Sequence, residues 1–479
     1  MNKKPKLFNV RFEKITIKNF KNVKNGVVDL GKTYNDDFSF KPSVLGVYGQ
    51  NGSGKTTLIQ VIEAIKILLM GYSLPKDIID LVSVDTDDCE IDVDFIITDN
   101  ATEKFNVNYK VQLEKIDALM SNTVNVVNGN NVVQKVVVKS ETLSASFSDL
   151  QNSKSHKTTI IDCNQNDNDN VFLPKTKLKS LTNDSKEAKN KLLINKKMSY
   201  ENSKSFIFSI ETLNVFRQSK QDDFAMTVIE NLINFANGNL FVVSTKNSGL
   251  INLNAALPFN FILKDKNHTS IGNIVIDLSN VSKIPTELYD LVLRSINSMN
   301  MVLSKLIPQM RVELEKIGRE NDENGFEFVR VQLFSIRNGK KISMANESEG
   351  IKKIVSFLQL LVVMFNNPST TVAIDELDSG IFEYLLGEIL RIISKSAKGQ
   401  LIFTSHNLRA LETIDKKFVC FTTTNENNRY IKMAYVGKNN NLRDFYFHEL
   451  LLGGQKEQLY EPTNNGSITL AFNEAGDIN

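Results

Sequence analysis

Cysteine and histidine are scarce in this chain, long apolar runs are missing, and neither sign of charge dominates. The three cysteines, Cys89, Cys163 and Cys420, are scattered with no Cys-x-x-Cys spacing. An odd, dispersed set excludes a disulfide framework and a zinc ribbon, and fits packed thiols in a reducing compartment. The four histidines, His156, His268, His406 and His448, lie far apart, which offers no HNH or zinc-nuclease cluster. The longest apolar segment, Leu360 to Phe365, is far too short to span a bilayer. The basic start, Met1 to Lys6, is followed by mixed residues rather than the apolar stretch of a secretion signal. These absences predict a soluble, cytoplasmic protein with no membrane contact. With 57 Lys plus Arg against 55 Asp plus Glu, any nucleic-acid partner has to be met by a local patch.

What is present points to an α/β chain. At 479 residues the length allows two or three structural units. Strand-type alternation at Val10, Phe12, Ile15 and Ile17, and again at 26–30, precedes the apolar run Val44 to Tyr48. Residues Thr56 to Met70 read as a mostly buried helix whose polar stripe is Gln60, Glu63 and Lys66. Alternation then resumes at Ile91, Val93 and Phe95 and at Phe105 to Leu113, as in an antiparallel sheet with one wet face. The pattern loosens from about 116 to 285, with an Asn-rich stretch at 164–170 and a segment from Pro174 to Lys204 carrying nine Lys against Asp184, Glu187 and Glu201. That segment reads either as a solvated, partly disordered loop or as a surface for a phosphate backbone. A helix over 285–306, a hairpin turn at Asn338-Gly339, a helical face from Ile351 to Phe365, and buried strands at 371–374, 401–404 and 418–422 follow. The expected organisation is an N-terminal lobe over 1–115, a large α+β insertion over 116–285 and a C-terminal lobe over 286–479. The sheet is expected to be mixed, with an antiparallel β subdomain.

The chemistry is concentrated in a few short motifs. Gly49-Gln50-Asn51-Gly52-Ser53-Gly54-Lys55-Thr56 completes the G-x-x-x-x-G-K-[ST] pattern. Its glycines let consecutive N–H groups curl around phosphates, its lysine reaches the β- and γ-phosphates, and its hydroxyl meets Mg²⁺. Gly49, Asn51, Gly52, Ser53, Gly54, Lys55, Thr56 and Thr57 are therefore candidate ATP-binding residues. The run Thr371-Val372-Ala373-Ile374-Asp375-Glu376 supplies the carboxylate expected at the end of a buried strand. Asp375 joins Thr56 as a Mg²⁺ ligand, and Glu376 is placed to activate water; the bland alternative is a helix or turn cap. His406, at the end of the next strand, is either structural or within reach of a γ-phosphate. Ser348, in Glu347-Ser348-Glu349-Gly350, reads as an N-cap or, with Gly350, as an anion site at a helix start.

Together with Asp378-Ser379-Gly380 and Ile17-Lys18-Asn19-Phe20-Lys21, these motifs resemble the ABC-type ATPase heads of the SMC, RecF and break-repair superfamily. More narrowly they resemble the stand-alone bacterial AAA-family ATPases of anti-phage defence systems such as PARIS, Septu and the OLD-like group. The resemblance covers about the first quarter and the last third of the chain. It implies an ABC-type head and a composite ATP site, with Lys55, Thr56, Asp375, Glu376 and His406 from one head and Ser348 with Gly350 from another. It also places Phe20 and its neighbours near the adenine. One departure is that the signature reads Ser-Glu-Gly rather than Ser-Gly-Gly-Gln.

There is no heptad array for an SMC arm, and too few residues follow His406 for a metal-dependent nuclease domain. Three readings remain. The first is a dimerising, ATP-hydrolysing sensor or scaffold with a separate effector. The second is a RecF-like repair ATPase that clamps DNA, and the third a nucleotide-gated scaffold with little hydrolysis. The tail 442–454 reads as packing on the head, with a docking surface as the alternative.

Overall fold

The computed structural model describes residues 8–99, 102–119, 132–150, 155–219, 222–244, 256–264, 269–278, 280–432, 442–444, 446, 448, 457–460 and 464–476. The basic start at 1–6 and most of the tail at 442–454 lie outside the described residues.

The first strands divide between two sheets. β1 (Asn9–Phe20) and β2 (Val23–Asp29) pair antiparallel, whereas β3 (Ser43–Tyr48), buried at every position, enters a second sheet and leads through the glycine-rich loop into α1 (Lys55–Leu69). β4 (Asp88–Thr98), β5 (Glu103–Leu119), β6 (Val132–Asp149) and β7 (Thr158–Asn164) return to the first sheet, giving the order β2-β1-β4-β5-β6-β7. Its wet face follows from the alternation: Ile91, Val93 and Phe95 are buried, while Lys18 and Lys110 flank Glu90 at 2.9 and 2.8 Å.

The expected boundary at 115/116 therefore falls inside β5, and the supposed insertion is not a separate domain. Its first strands, β6 and β7, extend the N-terminal sheet. Its helices α2 (Lys175–Thr182), α3 (Lys186–Glu201), α4 (Ile210–Ser219) and α5 (Asp223–Gly238) share one core with α1, β1 and β4 through Leu181, Leu192, Phe216, Leu232 and Phe235. Burial of each such side chain stabilises by about 2 kcal/mol, enough to make the segment integral. The lysine-rich stretch is likewise helical rather than a loop, with Ser185 capping α3 by accepting the Ala188 N–H. Several of its lysines are used internally: Lys196 is buried and donates to the carbonyls of Asp167 and Asn170 at 2.7 and 2.8 Å, and Lys177 pairs with Asp222 at 2.8 Å.

β8 (Leu240–Val243) crosses into the second sheet. The chain continues through the hairpin β9 (Ala256–Lys264) and β10 (Thr269–Asp277), then β11 (Ser282–Pro285), α6 (Thr286–Leu306), β12 (Met310–Asn321), β13 (Glu327–Arg337) and β14 (Lys340–Ser343). Asn338 and Gly339 join β13 to β14 with φ of 49° and 76°, the left-handed pair that a two-residue hairpin turn requires. The remainder is α7 (Glu349–Asn366), β15 (Thr371–Ile374), α8 (Glu383–Ser396), β16 (Gln400–Ser405), β17 (Val419–Thr422), β18 (Tyr430–Ile431) and the exposed α9 (Asn465–Gly476).

The second sheet runs β18-β17-β3-β16-β15-β8, parallel except for β18. Successive side chains on its strands point to opposite faces. Ala373 and Ile402 join the core under α1, while Val372, Ile374, Leu401 and Phe403 join the core shared with α6, α7 and α8. The two sheets are tied by Arg11, fully buried, which donates to the carbonyls of Pro368 at 3.1 Å and Lys41 at 2.6 Å and stacks on Phe40. Gln400 adds bonds to both backbone groups of Phe12. All three cysteines are buried. In the tail, Tyr446 is buried and stacks on Phe421 with ring centroids 4.8 Å apart. Among the described residues no helix is long and apolar enough to cross a membrane.

Candidate nucleotide-binding site

Parallel strands bring their carboxyl ends to one edge of a sheet, where ligands of α/β folds bind. β3, β15 and β16 end there in the glycine-rich loop, in Asp375-Glu376 and in Ser405-His406. A cavity of about 840 Å³ lies between them, lined by Lys21, Asn22, Asn51, Gly52, Gly54, Lys55, Thr56, Thr57, Glu376, Asp378, Ser379 and His406.

The loop conformation depends on its glycines. Gly52 and Gly54 have φ of 75° and 96°, a region costly for residues with a β-carbon. A β-carbon on Gly49 would meet Thr422 Oγ1 at 1.8 Å. Thr422 and Ser53 hold the loop from beneath: their hydroxyls lie 2.5 Å apart, Ser53 donates to the Gln50 carbonyl and Thr422 to that of Tyr48. Ser53 and Gly49 thus shape the loop without lining the cavity. Lys55 is 5% exposed and donates to the carbonyls of Gly49 and Gln50, both at 2.8 Å. Burial lowers its pKa to about 8 against the opposing pull of Asp375, Asp378 and Glu376.

Asp375 is buried. Its Oδ1 accepts from Thr404 at 2.6 Å and from Thr56 at 3.3 Å, while its Oδ2 is buried with no hydrogen-bond partner. A buried carboxylate oxygen left unpaired is costly, and beside the Thr56 hydroxyl it fits a hard cation. Among the described residues no group of three or more His, Cys, Asp or Glu could hold a metal by itself, so the donor set suits Mg²⁺ that also takes phosphate oxygens and water. Asp378 fixes the turn after β16 by accepting the backbone N–H groups of His406 and Asn407 at 3.0 and 2.8 Å. Desolvation and then the Lys55 charge lower the pKa of His406, with the three carboxylates opposing. Its imidazole is therefore neutral near pH 7.

Two expected residues stand elsewhere. Phe20 is fully buried in the core, so its ring is sealed from the cavity. The residues that follow it, Lys21 and Asn22, line the cavity instead, with Asn22 donating to the Gly52 carbonyl. Ser348 and Gly350 do not line the cavity either. Ser348 occupies the N-cap position of α7, yet its exposed side chain makes no capping bond. Gly350 packs so closely on the turn after β15 that a β-carbon would come within 2.0 Å of the Gly380 carbonyl oxygen.

Sequence reasoning missed Thr404, Thr422, Lys353, Asn22 and Arg429, the last of which donates to the Asn22 carbonyl. Only Lys353 carried a local signal, a charged residue amid the apolar pattern of α7.

No curated protein matches the chain. In fold it is similar to the Smc head domain with an extended coiled coil from Pyrococcus furiosus, bound to the C-terminal domain of ScpA (13% identity over 89% of this chain and 96% of that one, TM-score 0.38). It is also similar to the SMC head domain from Thermotoga maritima (12% identity, 88% and 99%, TM-score 0.33) and to the recombination mediator RecF with ATP (13% identity, 84% and 95%, TM-score 0.33). Residues 44–412 match the family described as "AAA domain, putative AbiEii toxin, Type IV TA system". The chain belongs to this AAA_21 family.

Proposed function

We propose that the chain binds Mg²⁺–ATP, hydrolyses it to ADP and phosphate in a site completed by a second copy, and serves as the sensor or scaffold subunit of a bacterial anti-phage defence system with a separate effector. One observation carries the catalytic part: Lys55, Thr56, Asp375, Glu376 and His406 converge at one sheet edge, with an unpartnered Asp375 oxygen beside the Thr56 hydroxyl. Lys55, Asn51 and the loop N–H groups hold the phosphates. Thr56 and Asp375 would hold Mg²⁺, which when bound would supply charge neutralisation at the phosphates. Glu376 orients the attacking water and takes its proton as the bond between the γ-phosphorus and the bridging oxygen breaks. His406, neutral, has one ring N–H to offer a γ-phosphate oxygen.

Ser348 and Gly350 support the second-copy requirement. They stand outside the cavity, with the Ser348 side chain exposed and uncommitted, and the free N–H groups of the α7 start suit phosphate held by another copy. The test is ATP turnover per subunit as a function of protein concentration, with Ser348→Arg as the interface variant. Turnover that rises with concentration and collapses in Ser348→Arg while nucleotide affinity stays intact supports a shared site; concentration-independent turnover refutes it. The defence role rests on the motif resemblance and on the toxin–antitoxin wording of the family description. Phage challenge of cells carrying the native gene neighbourhood, wild type against Lys55→Ala, tests it, and equal plating efficiencies would sink it. The DNA-clamping alternative loses support, because Lys177 and Lys196 of its proposed surface are engaged within the fold.

A further inference from the structure

Glu376 has φ 49°, in the left-handed region where a residue with a β-carbon is strained and persists only when its surroundings hold it. Its backbone is clamped on both sides. The Thr404 hydroxyl accepts its N–H at 2.7 Å, while its carbonyl accepts the Ser379 N–H at 3.1 Å and the ammonium of Lys353. Lys353 is 5% exposed, on a helix whose next residues Ile354, Val355, Phe357 and Leu358 are all core. A lysine in that position loses hydration that only specific partners restore. Burial lowers its pKa, and the charges of Asp378, Glu376 and Asp375 pull the other way. It does not line the cavity, so any effect on nucleotide chemistry must pass through another group.

The position of Lys353 in the fold gives that effect a direction. It lies one turn into α7, past the Ser348–Gly350 start, and Gly350 itself presses on Gly380. Two contacts therefore join the start of α7 to the turn that carries Glu376. We propose that Lys353 is a positioning residue: by holding the Glu376 carbonyl it keeps the carboxylate turned into the cavity, and through α7 it makes that orientation depend on what Ser348 and Gly350 touch. This rests on the shared-site reading above. In an engaged pair, Lys353 ties the water-activating carboxylate of each copy to the nucleotide held by the other.

The experiment compares kcat and ATP affinity for wild type, Lys353→Met and Lys353→Arg, each alone and with Glu376→Gln. Methionine keeps the length and apolar stem but donates nothing, so kcat falls at least tenfold while affinity stays within threefold. Arginine, which can still donate to the carbonyl, recovers most of the loss. In the Glu376→Gln background Lys353→Met lowers kcat no further, because both changes act on one group. An unchanged kcat in Lys353→Met overturns the inference. So does a parallel loss of affinity, or an additive loss on top of Glu376→Gln, since either marks a general structural role. If Lys353→Met does not fold, the shorter apolar variant Lys353→Leu is read by the same criteria. A wild-type chain that binds ATP without turnover refutes the proposed hydrolysis, whereas brisk wild-type turnover with an indifferent Lys353→Met refutes only this coupling.

Discussion

Nucleotide affinity should fall steeply in mild alkali, because Lys55, the lysine proposed to reach the phosphates, starts from a pKa of about 8. The depression comes first from burial, with Lys55 5% exposed and its ammonium held by two carbonyls. Phosphates entering the cavity bring negative charge within reach of that ammonium and raise its pKa again, so binding takes up a proton wherever the free lysine has lost one. The sign follows: affinity is full below pH 8 and declines as pH rises through it. At pH 9 roughly one free molecule in eleven still carries the charge, so the dissociation constant rises about tenfold, or about 1.4 kcal/mol. The neighbouring groups do not blur this window. His406, which shares the cavity, is shifted below its ordinary pKa. The assay is calorimetric titration with a non-hydrolysable ATP analogue and Mg²⁺ from pH 6.5 to 9.5 at constant ionic strength. Lys55→Arg, whose guanidinium stays charged throughout, should bind more weakly but with a flat profile. A flat wild-type profile, or an arginine variant with the same slope, would refute the reasoning.

Further outcomes follow from the same geometry. Glu376→Gln should keep ATP affinity and lower turnover by about 10²–10⁴-fold, with ATP-bound oligomer accumulating in size-exclusion chromatography; undiminished turnover removes Glu376 from its role. Gly350→Ala places a β-carbon 2.0 Å from the Gly380 carbonyl oxygen and should cost about 1–3 kcal/mol in stability together with turnover, measured by urea unfolding and phosphate release. Wild-type values for both would show that the α7 start can shift freely. Replacing Lys177 and Lys196 by alanine should lower the thermal midpoint by several degrees, because an Asp222 ion pair and two half-buried carbonyls lose their donor. A variant of unaltered stability whose only defect is salt-dependent DNA binding would restore the clamping alternative.

The sequence alone determined the features that are local. A glycine-rich loop between an apolar strand and a helix is specified by adjacent residues, because φ freedom and backbone N–H direction are properties of the loop itself. The same holds for Asp375-Glu376 at a strand end, for the Asn338-Gly339 turn, and for the alternation that marks β1, β4 and β5. Tertiary structure decided whatever depends on which distant segments meet. The 116–285 region looked like an insertion because its polar faces are rich in Asn and Lys, yet β8 pairs with β15 and α5 shares the core of β1. Strand partners are chosen by packing over the whole chain, so no local pattern announces them. Phe20 illustrates the limit in one residue, since the resemblance placed it near the adenine but the fold buries its ring in the core. Thr404, Thr422 and Lys353 are ordinary residues until folding brings them to Asp375, Ser53 and Glu376. The sequence thus named the candidate groups for phosphate and metal, and the fold alone supplied those that hold them in place.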